Sequence, residues 1–239
     1  MAVVVIIASG IQSAEAGAQL VQNGGFEKTT NGGGQLGYNT EAVGWSLSSS
    51  PGYAFLFTTG TADTTGANGQ YGNLALWGTH DGGLNPLPVS QNGGNFVALD
   101  GDFQTAAITQ TLNGLTVGKT YDVSFDYGYA QQRDYTGATK QGLTVCLGST
   151  CDATPTLTNQ SKGFTGWMTA DFAFKASSSS EVLSFLATSS TPVPPFALVD
   201  GVSATAAVPE LSSWVLMLVG FAGLGLAGRR RRARTALAA

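Results

Sequence analysis

Over residues 121–129 apolar and polar side chains alternate: Tyr121, Val123, Phe125, Tyr127 and Tyr129 fall on one side, Asp122, Ser124, Asp126 and Gly128 on the other. A period of two is that of a β-strand with one face buried and one face wet, so this segment predicts a strand with an aromatic inner face. Shorter runs of similar kind occur at 53–58, 73–77, 95–100, 107–112, 142–147, 168–176, 182–187 and 197–206. Turn pairs punctuate them, among them Asn23-Gly24, Asn92-Gly93, Asn113-Gly114, Val117-Gly118 and Lys162-Gly163, where Asn or Gly accepts the positive φ that a tight turn needs. No part of this region carries a 3.6-residue amphipathic stripe with caps. About nine or ten short strands in one domain point to an all-β fold, a two-sheet sandwich of jelly-roll type in which each sheet hides one face against the other. Residues 31–37 and 58–72 read as long polar loops, and 177–180 as a low-complexity turn.

The two ends break this pattern. Residues 211–228 form an uncharged apolar run followed by Arg229, Arg230, Arg231, Arg232 and Arg234. As a helix rising about 1.5 Å per residue, the run would be roughly 27 Å long, close to the ~30 Å hydrocarbon core of a bilayer. An arginine cluster directly behind a span holds the tail in the cytoplasm and puts everything upstream outside. At the other end, 2–11 is apolar, and Ala14-Glu15-Ala16 and Ala16-Gly17-Ala18 offer small residues for signal-peptide cleavage. Residues 1–18 are therefore expected to be a signal peptide. Because no lysine or arginine precedes Lys28, either its positive n-region lies upstream of Met1, the favoured assignment, or the peptide is a poor signal; the competing assignment for the segment is a buried first strand at 3–7.

The tail, 208–234, resembles the PEP-CTERM sorting signal of Gram-negative bacteria. It has Pro209-Glu210, with Leu211 where the family has a second proline, a short apolar helix with Trp214 near its start, a Gly-Phe-Ala-Gly-Leu-Gly centre, and the arginine cluster. The resemblance implies export, transient anchorage in the inner membrane with the body in the periplasm, cleavage near Pro209 and Glu210 by an exosortase-type membrane protease, and a final place at the cell surface or outside it. A plain single-span anchor is the alternative. The tail is also similar to a segment labelled an ice-binding-protein C-terminal domain, but the body has no regular Thr-x-Thr array to lay threonines in flat rows.

The body, 19–207, is one domain's length and carries thirteen acidic against six basic side chains, a net of −7. That sign opposes binding to nucleic acid or to an anionic membrane surface. Leu20-Val21-Gln22-Asn23-Gly24-Gly25-Phe26-Glu27 resembles the opening of galactose-binding-like jelly rolls, the architecture of many carbohydrate-binding modules, and Phe196-Ala197-Leu198-Val199-Asp200-Gly201-Val202-Ser203 resembles their closing strand. Gly114-Leu115, Gly118-Lys119-Thr120-Tyr121 and Phe125 resemble a strand entry common in these modules, and Gly44-Trp45 the "GW" that follows the opening. The resemblance places Gly25, Glu27 and Asp200 at a buried cation site, with calcium as the expected ion because that ion takes six to eight oxygens. Ordinary strand-end and turn roles for Glu27 and Asp200 are the alternative.

Catalytic chemistry is scarce, and no catalytic residue is assigned. His80, the single histidine, lies in Gly78-Thr79-His80-Asp81-Gly82-Gly83 with no G-x-S-x-G nucleophile elbow in the chain. Asp100 and Asp102 are spaced as a carboxylate pair that a glycosidase needs, or as a strand-end turn. Cys146 and Cys151 cannot make a zinc site with one histidine, and in an exported chain they read as a disulfide closing a hairpin. Aromatic and polar residues offering a sugar platform are Trp77, Tyr129, Arg133 and Tyr135, together with Tyr127, Trp167, Gln131 and Gln132, although for Trp45, Trp77 and Trp167 a place in the sandwich core is the favoured assignment. The sequence thus points to an exported, non-enzymatic protein associating with extracellular polysaccharide. Its rivals are a structural or adhesive matrix protein without a sugar site, and a glycoside hydrolase.

Overall fold

The computed structural model describes residues 17–49, 52–191 and 193–207. The expected signal peptide up to residue 16, the sorting motif, the apolar run and the arginine cluster lie outside them. Among the described residues, no helix is long and apolar enough to cross a membrane.

In chain order the strands are β1 (Gly34–Gln35), β2 (Ser46–Leu47), β3 (Ala54–Phe57), β4 (Ala67–Gly69), β5 (Gly72–Leu74), β6 (Phe96–Asp100), β7 (Ile108–Asn113), β8 (Thr120–Gln131), β9 (Thr139–Leu147), β10 (Thr150–Ala153), β11 (Leu157–Asn159), β12 (Met168–Lys175), β13 (Ser180–Ser189) and β14 (Pro195–Ala206). One sheet has the order β1-β3-β6-β14-β8-β12, the other β10-β9-β13-β7-β2 with β11 also on β9, and β4 and β5 form a separate hairpin. From β6 to β9 and from β12 to β14 successive strands alternate between the two sheets, and every pairing of named strands is antiparallel. This crossing to and fro is what makes the sandwich a jelly roll.

Between the sheets lies a core of inward-facing residues, with Phe125 meeting Phe185 edge to face at 5.1 Å and Trp45 between Phe26 and Phe185. Each such ring removed from water contributes roughly 1.5–3 kcal/mol. Trp45 keeps its polar end satisfied by donating from Nε1 to the Asn23 carbonyl at 3.0 Å.

The expectation that β8 has one wet face holds only for its first half. Asp122 is exposed, whereas Asp126, Gly128 and Ala130 are buried. The reason is a second core on the outer face of the same sheet, formed by Phe55, Phe57, Phe96, Ala98, Phe196 and Leu198 under Ala62, Ala67, Leu74, Leu76, Leu87 and Phe164. The segment expected as a polar loop at 58–72 folds back over the sheet and covers it. Central strands buried on both faces explain the unbroken apolar runs Ala54-Phe55-Leu56-Phe57 and Phe196-Ala197-Leu198-Val199. In them, alternate residues feed the inner and the outer core. Gly128 belongs to this arrangement: a Cβ there would sit 2.6 Å from the Phe164 ring.

The opening segment closes the sandwich. Leu20 donates to the Ala204 carbonyl at 2.9 Å, and the Val202 amide donates to the Gly24 carbonyl at 3.0 Å, inside the register shift of β14 between Asp200 and Ser203. Gly24 is required by this approach, because a Cβ would fall on the Val202 carbonyl oxygen.

Candidate functional site

Four strands of the sheet that contains β14 end or begin at one pole: β3 starts at Ala54, β6 ends at Asp100, β14 starts at Pro195 and β8 ends at Gln131. The register pairs Ala54 with Leu99, Phe196 with Asp100 and Pro195 with Gln131, so the flanking residues converge. They line an open cleft of about 280 Å³ formed by Tyr53, Tyr71, Asp100, Asp102, Phe103, Gln132, Tyr135 and Pro194.

Among the described residues the exposed aromatic side chains are Tyr38, Tyr71, Phe103 and Tyr135, and three of these four stand around this cleft. Tyr53, buried beneath them, packs edge-on against Phe103 at 5.6 Å and lies 6.0 Å from Tyr71; Tyr71 and Phe103 are 5.8 Å apart. Exposing three rings on one small surface is costly in water, and such a patch marks a binding site more often than an accident of packing.

Asp100 forms the floor. It is 2 % exposed, and its Oδ1 accepts the backbone N–H groups of Asp102 at 2.7 Å and Phe103 at 3.1 Å, which fixes the turn carrying the Phe103 ring. Its Oδ2 is buried without a hydrogen-bond partner. Burial pushes the carboxyl up to about 6, against the pull of those two backbone donors. Burial, and after it the Asp100 charge, pushes the Tyr53 hydroxyl to about 12. Among the described residues, no lysine, arginine or histidine lines the cleft.

Of the residues the sequence offered as a sugar platform, Tyr135 and Gln132 line the cleft. Tyr129 does not: it is fully buried between the sheets, where its hydroxyl pairs with Thr154 Oγ1 at 2.5 Å, and burial raises it to about 12. Tyr127 likewise belongs to the inter-sheet core. Trp77 is buried behind the site, donating from Nε1 to the Tyr135 carbonyl at 2.8 Å with Lys162 over its ring, so it supports Tyr135 instead of meeting a ligand. Arg133 is turned to Asp81 at 3.6 Å and Asp134 at 3.9 Å. Trp167 packs on Phe96 and Phe164 and donates to the Pro88 carbonyl. Tyr53, Tyr71 and Phe103 were missed by sequence reasoning. The available signals were a lone tyrosine within a polar loop and a phenylalanine directly after Asp-Gly-Asp.

Elsewhere, Cys146 and Cys151 form a disulfide at facing positions of β9 and β10. His80 is largely exposed in a short 3-10 turn, its Nδ1 2.8 Å from Asp63.

The structure brings Gly25, Glu27 and Asp200 together: a Cβ on Gly25 would lie 3.8 Å from Asp200 Oδ1 and 4.0 Å from Glu27 Cγ. Asp200 is fully buried and accepts hydrogen bonds from Ser90 Oγ and the Gly201 amide. Burial first, with the charges of Asp126 and Glu27 adding, pushes it up to about 7. Asp126 accepts from Asn92 and Thr169, both at 2.8 Å, and Glu27 from the Asn95 amide at 2.7 Å. Among the described residues, no group of three or more carboxylate, thiol or imidazole side chains is arranged to hold a metal ion.

No protein-family model matches the chain, and no curated protein matches it in sequence. Solved structures do. The carbohydrate-binding module TmCBM61, solved with β-1,4-galactotriose, is 12 % identical over 80 % of this chain and 99 % of that one, with a TM-score of 0.45. The CBM22-1 xylan-binding domain of Xyn10C from Paenibacillus barcinonensis is 12 % identical over 83 % and 100 %, with a TM-score of 0.44. The Stig cyclase Fisc from Fischerella sp. TAU, solved with an indole compound, is 18 % identical over 82 % and 100 %, with a TM-score of 0.45.

Proposed function

We propose that this is an exported, non-enzymatic binding protein whose cleft at the Asp100 pole takes a sugar unit of an extracellular polysaccharide. The observation that carries the proposal is the gathering of Tyr71, Phe103 and Tyr135, all exposed, around the buried Asp100 carboxylate. Sugar rings have apolar C–H faces and polar edges, so an aromatic wall with a few fixed polar groups is the surface that suits them. Here Tyr71, Phe103 and Tyr135 supply the wall, and Asp100, Asp102 and Gln132 the polar groups. The test is a glycan array on residues 19–207 with Tyr71→Ala and Phe103→Ala beside the wild type. A signal lost in both variants supports the cleft, and a silent array on a folded protein leaves a structural or adhesive matrix role.

One observation favours a hydrolase as the second reading: Asp100, its carboxyl raised by burial, shares the cleft with a second carboxyl group, that of Asp102, and a pair of carboxyl groups is what glycoside hydrolysis uses. Oligosaccharide recovered intact from prolonged incubation would leave binding alone.

Calcium is proposed as a structural ion at Gly25, Glu27 and Asp200. The fit lies in the charge: Asp200 is raised partly by carboxylate neighbours, and no salt bridge among the described residues reaches it or Glu27. A cation held by Glu27, Asp200 and the Gly25 carbonyl would relieve that repulsion. The tail, residues 208–234, is proposed as a PEP-CTERM sorting signal processed by an exosortase-type protease.

A further inference from the structure

We propose that the cleft selects a cationic sugar, a hexosamine unit bearing a free ammonium group, over neutral and acidic sugars; this rests on the reading of the cleft as a sugar site. Two independent observations lead there. The wall is an aromatic cluster, with Tyr53, Tyr71 and Phe103 packed mutually at 5.6–6.0 Å and Tyr135 completing the lining. Ring faces carry negative charge, so those turned to the cleft attract an ammonium group. The floor is Asp100, 2 % exposed, whose Oδ2 has no donor from the protein. A buried carboxylate oxygen without a donor is costly, and a ligand N–H is the complement it lacks.

The remaining lining points the same way. Asp102 is exposed at the rim, Gln132 is neutral, and no basic side chain among the described residues lines the cleft. Arg133, next in sequence to Gln132, is held by Asp81 and Asp134 and its amide by the Ala75 carbonyl. An acidic sugar such as a uronate would therefore meet two carboxylates with no counter-charge. A neutral sugar would gain the ring contacts but leave Asp100 without its charged donor. An amino sugar satisfies both.

The experiment is calorimetric titration of residues 19–207 with four oligomers of matched length: glucosamine, N-acetylglucosamine, galacturonate and lysine. The expected result is binding of the glucosamine oligomer at least about tenfold tighter than of the N-acetylated one, weakened by salt, with no binding of galacturonate. Asp102→Asn, at an exposed position, should narrow the preference several-fold, and Asp100→Asn should abolish it while Tyr71→Ala weakens both sugars. Equal affinity for the two hexosamine oligomers would overturn the charge selection and leave the sugar site standing. Binding of the lysine oligomer as tight as that of glucosamine would overturn it in favour of a general ammonium cage. Failure of every saccharide to bind would remove the sugar reading together with the selection.

Discussion

Asp100 and Phe103 are joined by a bond that shapes the cleft: Asp100 Oδ1 accepts the Phe103 amide at 3.1 Å, alongside that of Asp102 at 2.7 Å, and so sets where the Phe103 ring stands. Asp100→Ala removes the acceptor of both bonds and should destabilise the domain by about 1–3 kcal/mol, read as a lower midpoint in thermal unfolding. Asp100→Asn keeps an acceptor oxygen and removes a desolvated charge, so at neutral pH it should melt near or above the wild type. An Asn variant melting as low as the Ala variant would show that the negative charge itself, and not the turn, is what the fold requires.

Asp100 and Asp200 carry the pH dependence. Burial raises the first to about 6 and the second to about 7, so the native state keeps these protons at pH values where the unfolded chain has lost them. Their contribution is fully present below the ordinary carboxylate range and is lost as pH rises through 6 and 7, on the order of 3–4 kcal/mol for each group. In EDTA the melting temperature should fall from pH 4 to pH 8, and Asp200→Asn should flatten the upper part of that fall. Calcium should do the same to the wild type by taking the place of the proton, and should do nothing to Asp200→Asn. Superimposable wild-type curves in calcium and EDTA at pH 8 would reject the ion.

The disulfide closes a short loop, six residues from Cys146 to Cys151, so the chain-entropy effect is small, about 2 kcal/mol. For a domain of this length, replacing both cysteines by serine should lower the melting temperature by roughly 4–8 °C without loss of the fold. Unfolding of the double variant at room temperature would mean that the hairpin organises more of the sheet than its loop length implies.

The tail is tested by mass spectrometry of the protein released from a host that carries the processing protease. The C-terminus should fall near Pro209 and Glu210. Recovery of Arg229, Arg230, Arg231 and Arg232 on the mature extracellular form would leave a plain anchor.

The sandwich was legible because its strands obey simple patterns: eight of the long runs expected from the sequence are strands, and the strongest alternation is β8. Strands too short to show a period, such as Gly34–Gln35 and Ser46–Leu47, were not legible, since two residues held by a neighbour carry no pattern of their own. Polar composition at 58–72 hides the outer core, because Ala62 and Ala67 are that segment's members of it and the rest of the cover, Leu74, Leu76, Leu87 and Phe164, lies further along the chain. At the cleft, Tyr129 looked like a platform because alternation says that a tyrosine is on the aromatic face, not whether that face is covered. The cleft itself joins Tyr53, Tyr71, Asp100 and Tyr135, and only strand register brings such distant positions to one pole.

β14 runs between two ends of unlike purpose. Its first residue, Pro195, adjoins the cleft, and eleven residues later Ala206 lies at the opposite pole, where the amide of Ala207 is pinned to the Thr120 carbonyl at 2.9 Å. At about 3.3 Å per residue that is roughly 36 Å of rigid spacer. The strand is therefore a lever arm as well as a piece of sheet. The cleft and the Ala207 end of the domain are thereby held apart at a distance that the length of a single strand sets.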